Sequence, residues 1–311
     1  MNDVITIDGQ YLGYEEIAAC YLITADDELA LVDNNAQSAL SQITSTIDEQ
    51  IKDGKSLKYL ILTHIHLDHA GLTGKLAKLY PEAMVVVHPK GVRHMHNPSR
   101  LEASSRSVYG DDAFDEMYGQ LIGVVESQLI SPADGEKLPL GNQSLKFIYT
   151  KGHANHHFCI VAPFINSIFT GDSFGLAYPH LNEIKNTWIY PSTSPTDFDY
   201  EEALISLDKI QKTGMSNAYL THFGVWSKLS EGAEQLKEHL QFHEHLRQEM
   251  LEHPDLQKSL PFFKDKLQDY TFKAMKSRGL VCSQGQKEII EYDIKLNIQG
   301  LAFVAAKSRN R

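Results

Sequence analysis

Apolar positions along this chain keep two rhythms, one of period two and one near 3.6, and the change between them divides it. Residues 4–33 read as two or three antiparallel strands, among them Tyr21-Leu22-Ile23 and Leu29-Ala30-Leu31-Val32. Ser38 to Asp53 predicts a helix, with Leu40, Ile43, Ile47 and Ile51 at helical spacing and Gly54 as its stop. Lys58 to Leu62 is a short continuous apolar run, as in a buried strand. Leu72 to Leu79 reads as a helix ended by Pro81, and Met84 to His88 as a strand with a structural histidine at its end. Residues 90–130 are less regular, with a helix expected from Ala113 to Gln128, and form either a lid or a solvated helix pair.

From Leu138 the strand rhythm returns. A hairpin turn at Gly141-Asn142-Gln143 precedes strands at Leu145–Tyr149, Phe158–Ala162 and Ser167–Thr170. A helix from Ala203 to Gln211 carries Ala203, Leu204, Leu207 and Ile210 on its inner face, and residues 217–222 form the last strand. Residues 227–311 are helical throughout. Their stripes are Leu229, Ala233, Leu236, Leu240, then Phe263, Leu267, Tyr270, Ala274, then Ile290, Ile294, Ile298, Leu301. Gly279 and Gly300 read as helix stops. His239, His243 and His245 read as a solvated helix face rather than a metal site, although His239 and His243 share a face.

Chemistry concentrates after the Lys58–Leu62 run. Thr63-His64-Ile65-His66-Leu67-Asp68-His69 places four metal-competent side chains within six residues, more than one structural zinc needs from a single loop. Three further candidates follow apolar runs with glycine close by: His153 in Lys151-Gly152-His153, Asp172 in Thr170-Gly171-Asp172-Ser173, and His222 in Leu220-Thr221-His222-Phe223-Gly224. Imidazoles and carboxylates together suit zinc, with iron or manganese as alternatives.

These seven positions, in this order, resemble the dinuclear site of metallo-β-lactamase-superfamily hydrolases, over roughly residues 4–226. The resemblance implies an α+β fold, a four-layer αββα sandwich over residues 1–226, with residues 227–311 as a C-terminal helical extension. It implies that His64, His66 and His153 hold one divalent cation, that Asp68, His69 and His222 hold a second, and that Asp172 bridges them. Asp33 corresponds to an acid beside the metals in the family, but it is followed here by Asn34-Asn35 rather than by a small residue or glycine. His157 lies four residues after His153, where glyoxalase II-like relatives carry a second histidine. His153 to His157, Gly171 to Gly175 and Thr193 to Asp199 together resemble a branch near glyoxalase II and lactonases.

The implied chemistry is hydrolysis of an ester, thioester or lactone. A metal-bridging hydroxide, its pKa lowered from about 16 to near 7, attacks the carbonyl; of the two catalytic acids, Asp68 is a metal ligand that also orients the hydroxide and Asp172 is the bridging ligand. The aromatic stretch after Asp172 should border the cleft. Tyr178, His180 or Tyr190 either donate to a developing oxyanion or pack beneath helices. Two other readings stay open: an iron oxidoreductase of persulfide dioxygenase or flavodiiron type, and a metal-retaining regulatory or ligand-binding protein. His66 stands where flavodiiron proteins usually have Glu, which counts against the flavodiiron form.

The resemblance implies a small-molecule substrate, and composition disfavours other partners. The net charge is −11, from 29 basic and 40 acidic residues, with no Lys/Arg cluster, which disfavours nucleic acid. No apolar run approaches a membrane span and no export signal is recognised. Cys20, Cys159 and Cys282 are too few and too scattered for a disulfide framework. A cytoplasmic protein is expected, with a homodimer through the extra helices as an option.

Overall fold

The structure, a computed structural model, describes residues 3–182, 187–193 and 196–309. They group into two compact units: residues up to Tyr149 with His156–Gly171 and Met215–Val225, then Thr150–Asn155, Asp172–Gly214 and the chain from Trp226 onward.

The first unit holds two six-stranded sheets. In one, β1 (Asp3–Asp8), β2 (Ala19–Ala25) and β3 (Glu28–Val32) pair antiparallel, and β4 (Ser56–Ile61), β5 (Met84–Val86) and β6 (Leu129–Ile130) continue parallel to β3. In the other, β7 (Lys137–Leu140), β8 (Gln143–Tyr149), β9 (Phe158–Ala162) and β10 (Ser167–Gly171) pair antiparallel, followed by β11 (Asn217–Leu220), parallel to β10, and β12 (Gly224–Trp226) at the edge. The period of two explains how the sheets stack. Tyr21 and Ile23 of β2 join a core with Phe147, Phe158 and Phe169 of the second sheet. Cys20 and Leu22, on the opposite face, join a core with Ile43 and Ile47 of α1 (Leu40–Lys52) and Leu76 of α3 (Thr73–Leu79). Burying an isoleucine of this kind stabilises by about 1.5–3 kcal/mol. Ile51 is 39% exposed. At 3.6 residues per turn it lies roughly 80° around the helix from Ile43, so the sheet does not cover it.

Between β4 and α3 the chain makes the single turn α2 (Leu67–Ala70). Residues 90–130 differ from the expected pattern. They form α4 (Val92–His96), α5 (Ser99–Tyr109) and α6 (Asp111–Met117), and no helix runs from Ala113 to Gln128. Gly119 takes φ 61, which breaks the helix. A Cβ on Gly123 would lie 2.3 Å from the His96 carbonyl oxygen, so backbone packs on backbone there.

The second unit contains α7 (Tyr200–Lys212), α8 (Leu229–Glu252), α9 (Leu256–Ser277) and α10 (Gln284–Arg309). The three expected stripes face inward at Leu236, Leu240, Phe263, Leu267, Ile290, Ile294, Ile298 and Leu301. Gly279 ends α9 at φ 79, but Gly300 is no stop: it is buried inside α10. The apolar stripe continues through Leu301, Ala302 and Ala305, and its burial outweighs the roughly 1 kcal/mol that an interior glycine costs. No described helix is long and apolar enough to cross a membrane.

His239 and His243 overturn the expectation of a solvated face. They are 2% and 4% exposed, whereas His245 does lie on the surface. His239 Nδ1 sits 3.0 Å from the Tyr270 hydroxyl, and its ring lies 4.7 Å from that of Trp188. The period of 3.6 marked the shared face; tertiary packing on α9 and Trp188 decided that it turns inward. Burial pushes the His239 imidazolium pKa down to about 4, helped by Arg278. Burial, then His239, pushes His243 to about 3. Both are therefore neutral in the fold, while an unfolded chain protonates near 6.5. The sign follows: stability is complete above pH 6.5 and falls with acidification toward 4, by about 1.4 kcal/mol per pH unit for each histidine. We expect urea unfolding followed by helical signal to show His243→Leu losing stability less steeply than wild type between pH 6.5 and 4.5; parallel slopes would contradict it.

Candidate metal centre

The site begins where parallel strands β3 and β4 end side by side. Asp33 follows β3 at φ 57, a left-handed conformation that Asp tolerates better than most residues. Its carboxylate is 1% exposed and is surrounded by donors. The Thr63 amide donates to Oδ1 at 2.8 Å, and the Thr63 hydroxyl reaches both oxygens at 3.0 and 2.9 Å. Thr221 Oγ1 donates to Oδ2 at 2.8 Å, and His69 Nδ1 lies 2.8 Å from the same oxygen. Asn35 also takes φ 57. Asparagine here meets a backbone demand that glycine more often fills. Asn34 ties the loop to α3, donating to Thr73 Oγ1 at 3.0 Å and accepting from the Leu72 amide at 2.8 Å.

These bonds fix which nitrogens remain for a ligand. His69 commits Nδ1 to Asp33. His222, just beyond β11, donates Nδ1–H to the Ile17 carbonyl at 3.0 Å. Each ring therefore presents its Nε2 lone pair, the arrangement a metal-binding imidazole needs. Asp68 Oδ2 lies 3.3 Å from His222 Nε2 and 3.6 Å from His69 Nε2. Donors at about 2.0–2.2 Å around one tetrahedral ion sit roughly 3.3–3.6 Å apart, so Asp68, His69 and His222 fit a shared cation. His64 is fully buried, with Nδ1 3.2 Å from Thr63 Oγ1 and Nε2 2.9 Å from His66 Nδ1. His157 is also fully buried, and its ring stacks on that of His64 at 4.9 Å. His156 stands edge-on to His66 at 5.4 Å. All these residues belong to the first unit.

Within the second unit, His153 Nδ1 faces the Ser192 carbonyl at 3.1 Å, and its Nε2 lies 3.5 Å from Asp172 Oδ2. The spacing matches that of the Asp68 group. Tyr178 and Tyr190 are buried and donate their hydroxyls to Asp293 Oδ2 at 3.0 and 2.5 Å. Burial, then the Asp293 charge, holds both phenols well above their ordinary pKa, so they stay protonated donors aimed at α10. His180 stacks on Tyr178 at 5.6 Å. Of the Thr193–Asp199 stretch, Ser194 and Pro195 lie outside the described residues.

Sequence reading missed the two threonines that grip Asp33. A trace was available: Thr63-His64 and Thr221-His222 repeat one dipeptide, a hydroxyl directly before a candidate ligand. The Ile17 carbonyl has no side-chain signature and could not be found that way.

A family model described as the Metallo-beta-lactamase superfamily matches residues 13–222. A "Metallo-beta-lactamase fold-containing protein" of Sulfurisphaera tokodaii is 28% identical over 200 residues, 63% of this chain and 69% of that protein. The crystal structure of an archaeal metallo-beta-lactamase superfamily protein from Sulfolobus tokodaii superposes with TM-score 0.66 at 23% identity, covering 97% of this chain and 98% of the other. A hydroxyacylglutathione hydrolase of Francisella philomiragia is 28% identical over 46% of this chain and 45% of its own length. A coenzyme F420H(2) oxidase of Methanothermobacter marburgensis is 25% identical over 35% of this chain and 28% of its own. The match over residues 13–222, together with the two-sheet fold and the His/Asp groups at its strand ends, establishes that the chain belongs to the metallo-β-lactamase superfamily.

Proposed function

We propose that this chain is a dinuclear metal-dependent hydrolase of carboxylic esters, thioesters or lactones. One observation carries the reading: Asp68, His69 and His222 gather their donor atoms within 4.8 Å, with both imidazoles held from behind so that Nε2 faces the gap. We assign these three to one cation, His64, His66 and His153 to a second, and Asp172 to both. Chain continuity supports the wider set. Asp172 directly follows Gly171, where a Cβ would lie 2.7 Å from Thr63 Oγ1, and His153 precedes by four residues the His157 ring stacked on His64. Zinc suits the donors best.

Bound there, the divalent pair supplies a water of lowered pKa and polarises the carbonyl oxygen. The chain's own groups do the rest. Asp68, whose side chain is 21% exposed and so can meet solvent, accepts a hydrogen bond from the attacking water and orients it. Asp33 holds His69 in one tautomer and orientation, and Thr63 and Thr221 hold Asp33. His157 packs on His64 and fixes that ring. The relative named a hydroxyacylglutathione hydrolase supports the thioester form. The relative named a coenzyme F420H(2) oxidase supports a second reading, an iron oxidoreductase built on the same donors.

Elemental analysis of the purified chain should find about two metal ions, and His222→Ala about one. Asp68→Asn should keep the fold and slow turnover of acyl thioesters by about 10²–10⁴-fold. Wild type without bound metal would refute the assignment, and iron with oxygen uptake and no hydrolysis would favour the oxidoreductase.

Asp33→Asn removes the charge behind His69 without removing the ring. Titration with a competing chelator should show metal affinity reduced about 10–100-fold, while His69→Ala abolishes that binding site outright. Unchanged affinity in Asp33→Asn would mean that the carboxylate only braces the strands.

A further inference from the structure

Asn297 interrupts the apolar stripe of α10 and is only 4% exposed. Its side chain meets two backbone groups with opposite needs. The Thr193 amide donates to Oδ1 at 2.7 Å, and Nδ2 donates to the Pro191 carbonyl at 3.1 Å. The Thr193 hydroxyl adds a contact to Oδ1 at 3.1 Å. An amide N–H only donates and a carbonyl only accepts, so these two partners decide which end of the Asn297 amide is oxygen. Aspartate at this position would set a carboxylate against the Pro191 carbonyl. Leucine would leave both buried backbone groups unpaired.

The two backbone groups bracket Ser192. The Thr193 N–H and the Ser192 C=O belong to one peptide unit, planar and trans, so they point in opposite directions. The Pro191 C=O belongs to the unit before it. Asn297 therefore fixes the peptide planes on both sides of Ser192. One residue earlier the chain is anchored again: Tyr190 and Leu176 exchange amide-to-carbonyl bonds at 2.8 and 3.1 Å. The Ser192 carbonyl oxygen, directed away from Asn297, lies 3.1 Å from His153 Nδ1. Because that oxygen can only accept, Nδ1 carries the proton and Nε2 carries the lone pair. Nε2 lies 3.5 Å from Asp172 Oδ2, the spacing of two donors around one cation. Every residue in this chain of contacts belongs to the second unit.

We propose that Asn297 is a positioning residue for His153. Across one rigid peptide unit it aims the carbonyl that keeps the ring's Nε2 on the side of Asp172, and so it tightens the cation assigned to His153. This rests on that assignment and adds a residue of the C-terminal helices to it. A bond directly behind a ligating histidine is worth about 10–100-fold in metal affinity. Asn297 acts one peptide unit further back, so the expected loss is at the lower end, about 10-fold.

The test titrates the metal-free full chain with zinc against a competing chelator. His153→Ala and His222→Ala identify the two binding steps. Asn297→Asp should weaken the His153 step about 10-fold and leave the His222 step unchanged. In a His153→Ala background it should cost nothing further, because the ring it positions is gone. A substitution that merely loosened the fold would weaken both steps, and its effect would persist without His153. Either result overturns the proposal, as does an unchanged His153 step. If Asn297→Asp does not fold, Asn297→Ala, uncharged and favourable to the helix, undergoes the same comparisons. Turnover of acyl thioesters is followed on the same samples. Selective loss at the His153 step in a chain that hydrolyses nothing supports the positioning role and sinks the hydrolase reading alone. Hydrolysis with both steps weakened equally does the reverse.

Discussion

The Asp33 carboxylate is the constraint on which the first unit depends. It stands where β3 ends, bonds the first residue of the metal loop through Thr63, bonds Thr221 one residue before His222, and holds His69. Three chain segments from both sheets thus meet on two oxygen atoms. A buried carboxylate is costly unless every lone pair finds a donor. Here the donors are supplied by the segments that carry candidate ligands, so satisfying Asp33 and assembling the Asp68–His69–His222 group are one event. Losing any single donor would leave part of a buried charge bare, typically at about 1–3 kcal/mol.

This arrangement explains why so much of the first unit could be read from the chain. Metal-competent residues must sit at strand ends to converge, and strand ends follow apolar runs. His64, His66, Asp68, His69 and His222 were therefore visible as polar interruptions of an apolar pattern, and most strands were visible as the runs themselves, whereas their stacking as two sheets was expected from the family resemblance. The bonds behind the ligands were less visible. Asp33 was marked only through family resemblance, and the Ile17 carbonyl left no trace in residue identity.

The second unit was harder, for a physical reason. Helical periodicity tells which residues share a face but not what the face meets. Leu236 and Leu240 were read correctly as inward. His239 and His243 were on a shared face, and polarity argued for water, but Trp188 and Tyr270 provide an aromatic environment in which a neutral imidazole can be buried. Gly300 carries a stop's identity in a position where neighbouring apolar residues keep the helix going. The irregular stretch after Met117 fails for the opposite reason: Gly119 and Gly123 break a pattern whose apolar spacing alone suggested a longer helix.

The two units nonetheless use one device. On α10, Asp293 and Asn297 lie one turn apart, and between them they bond Tyr178, Tyr190, Pro191 and Thr193. Asp293 accepts both tyrosine hydroxyls. Asn297 accepts the Thr193 amide at 2.7 Å and donates to the Pro191 carbonyl at 3.1 Å. Ser192 lies between those two anchors, and its carbonyl takes His153 Nδ1. The orientation of His153 is therefore set by a residue about 140 positions later in the chain, through a backbone carbonyl held on both sides. Tyrosines suit this clamp better than a cation would. Their protons stay on throughout the neutral range, so they satisfy Asp293 without adding a positive charge to the unit that holds His153 and Asp172. On this argument the C-terminal helices are part of what prepares the candidate metal ligands, in the same sense as Asp33: each places a fixed acceptor behind an imidazole so that its other nitrogen has only one direction to face.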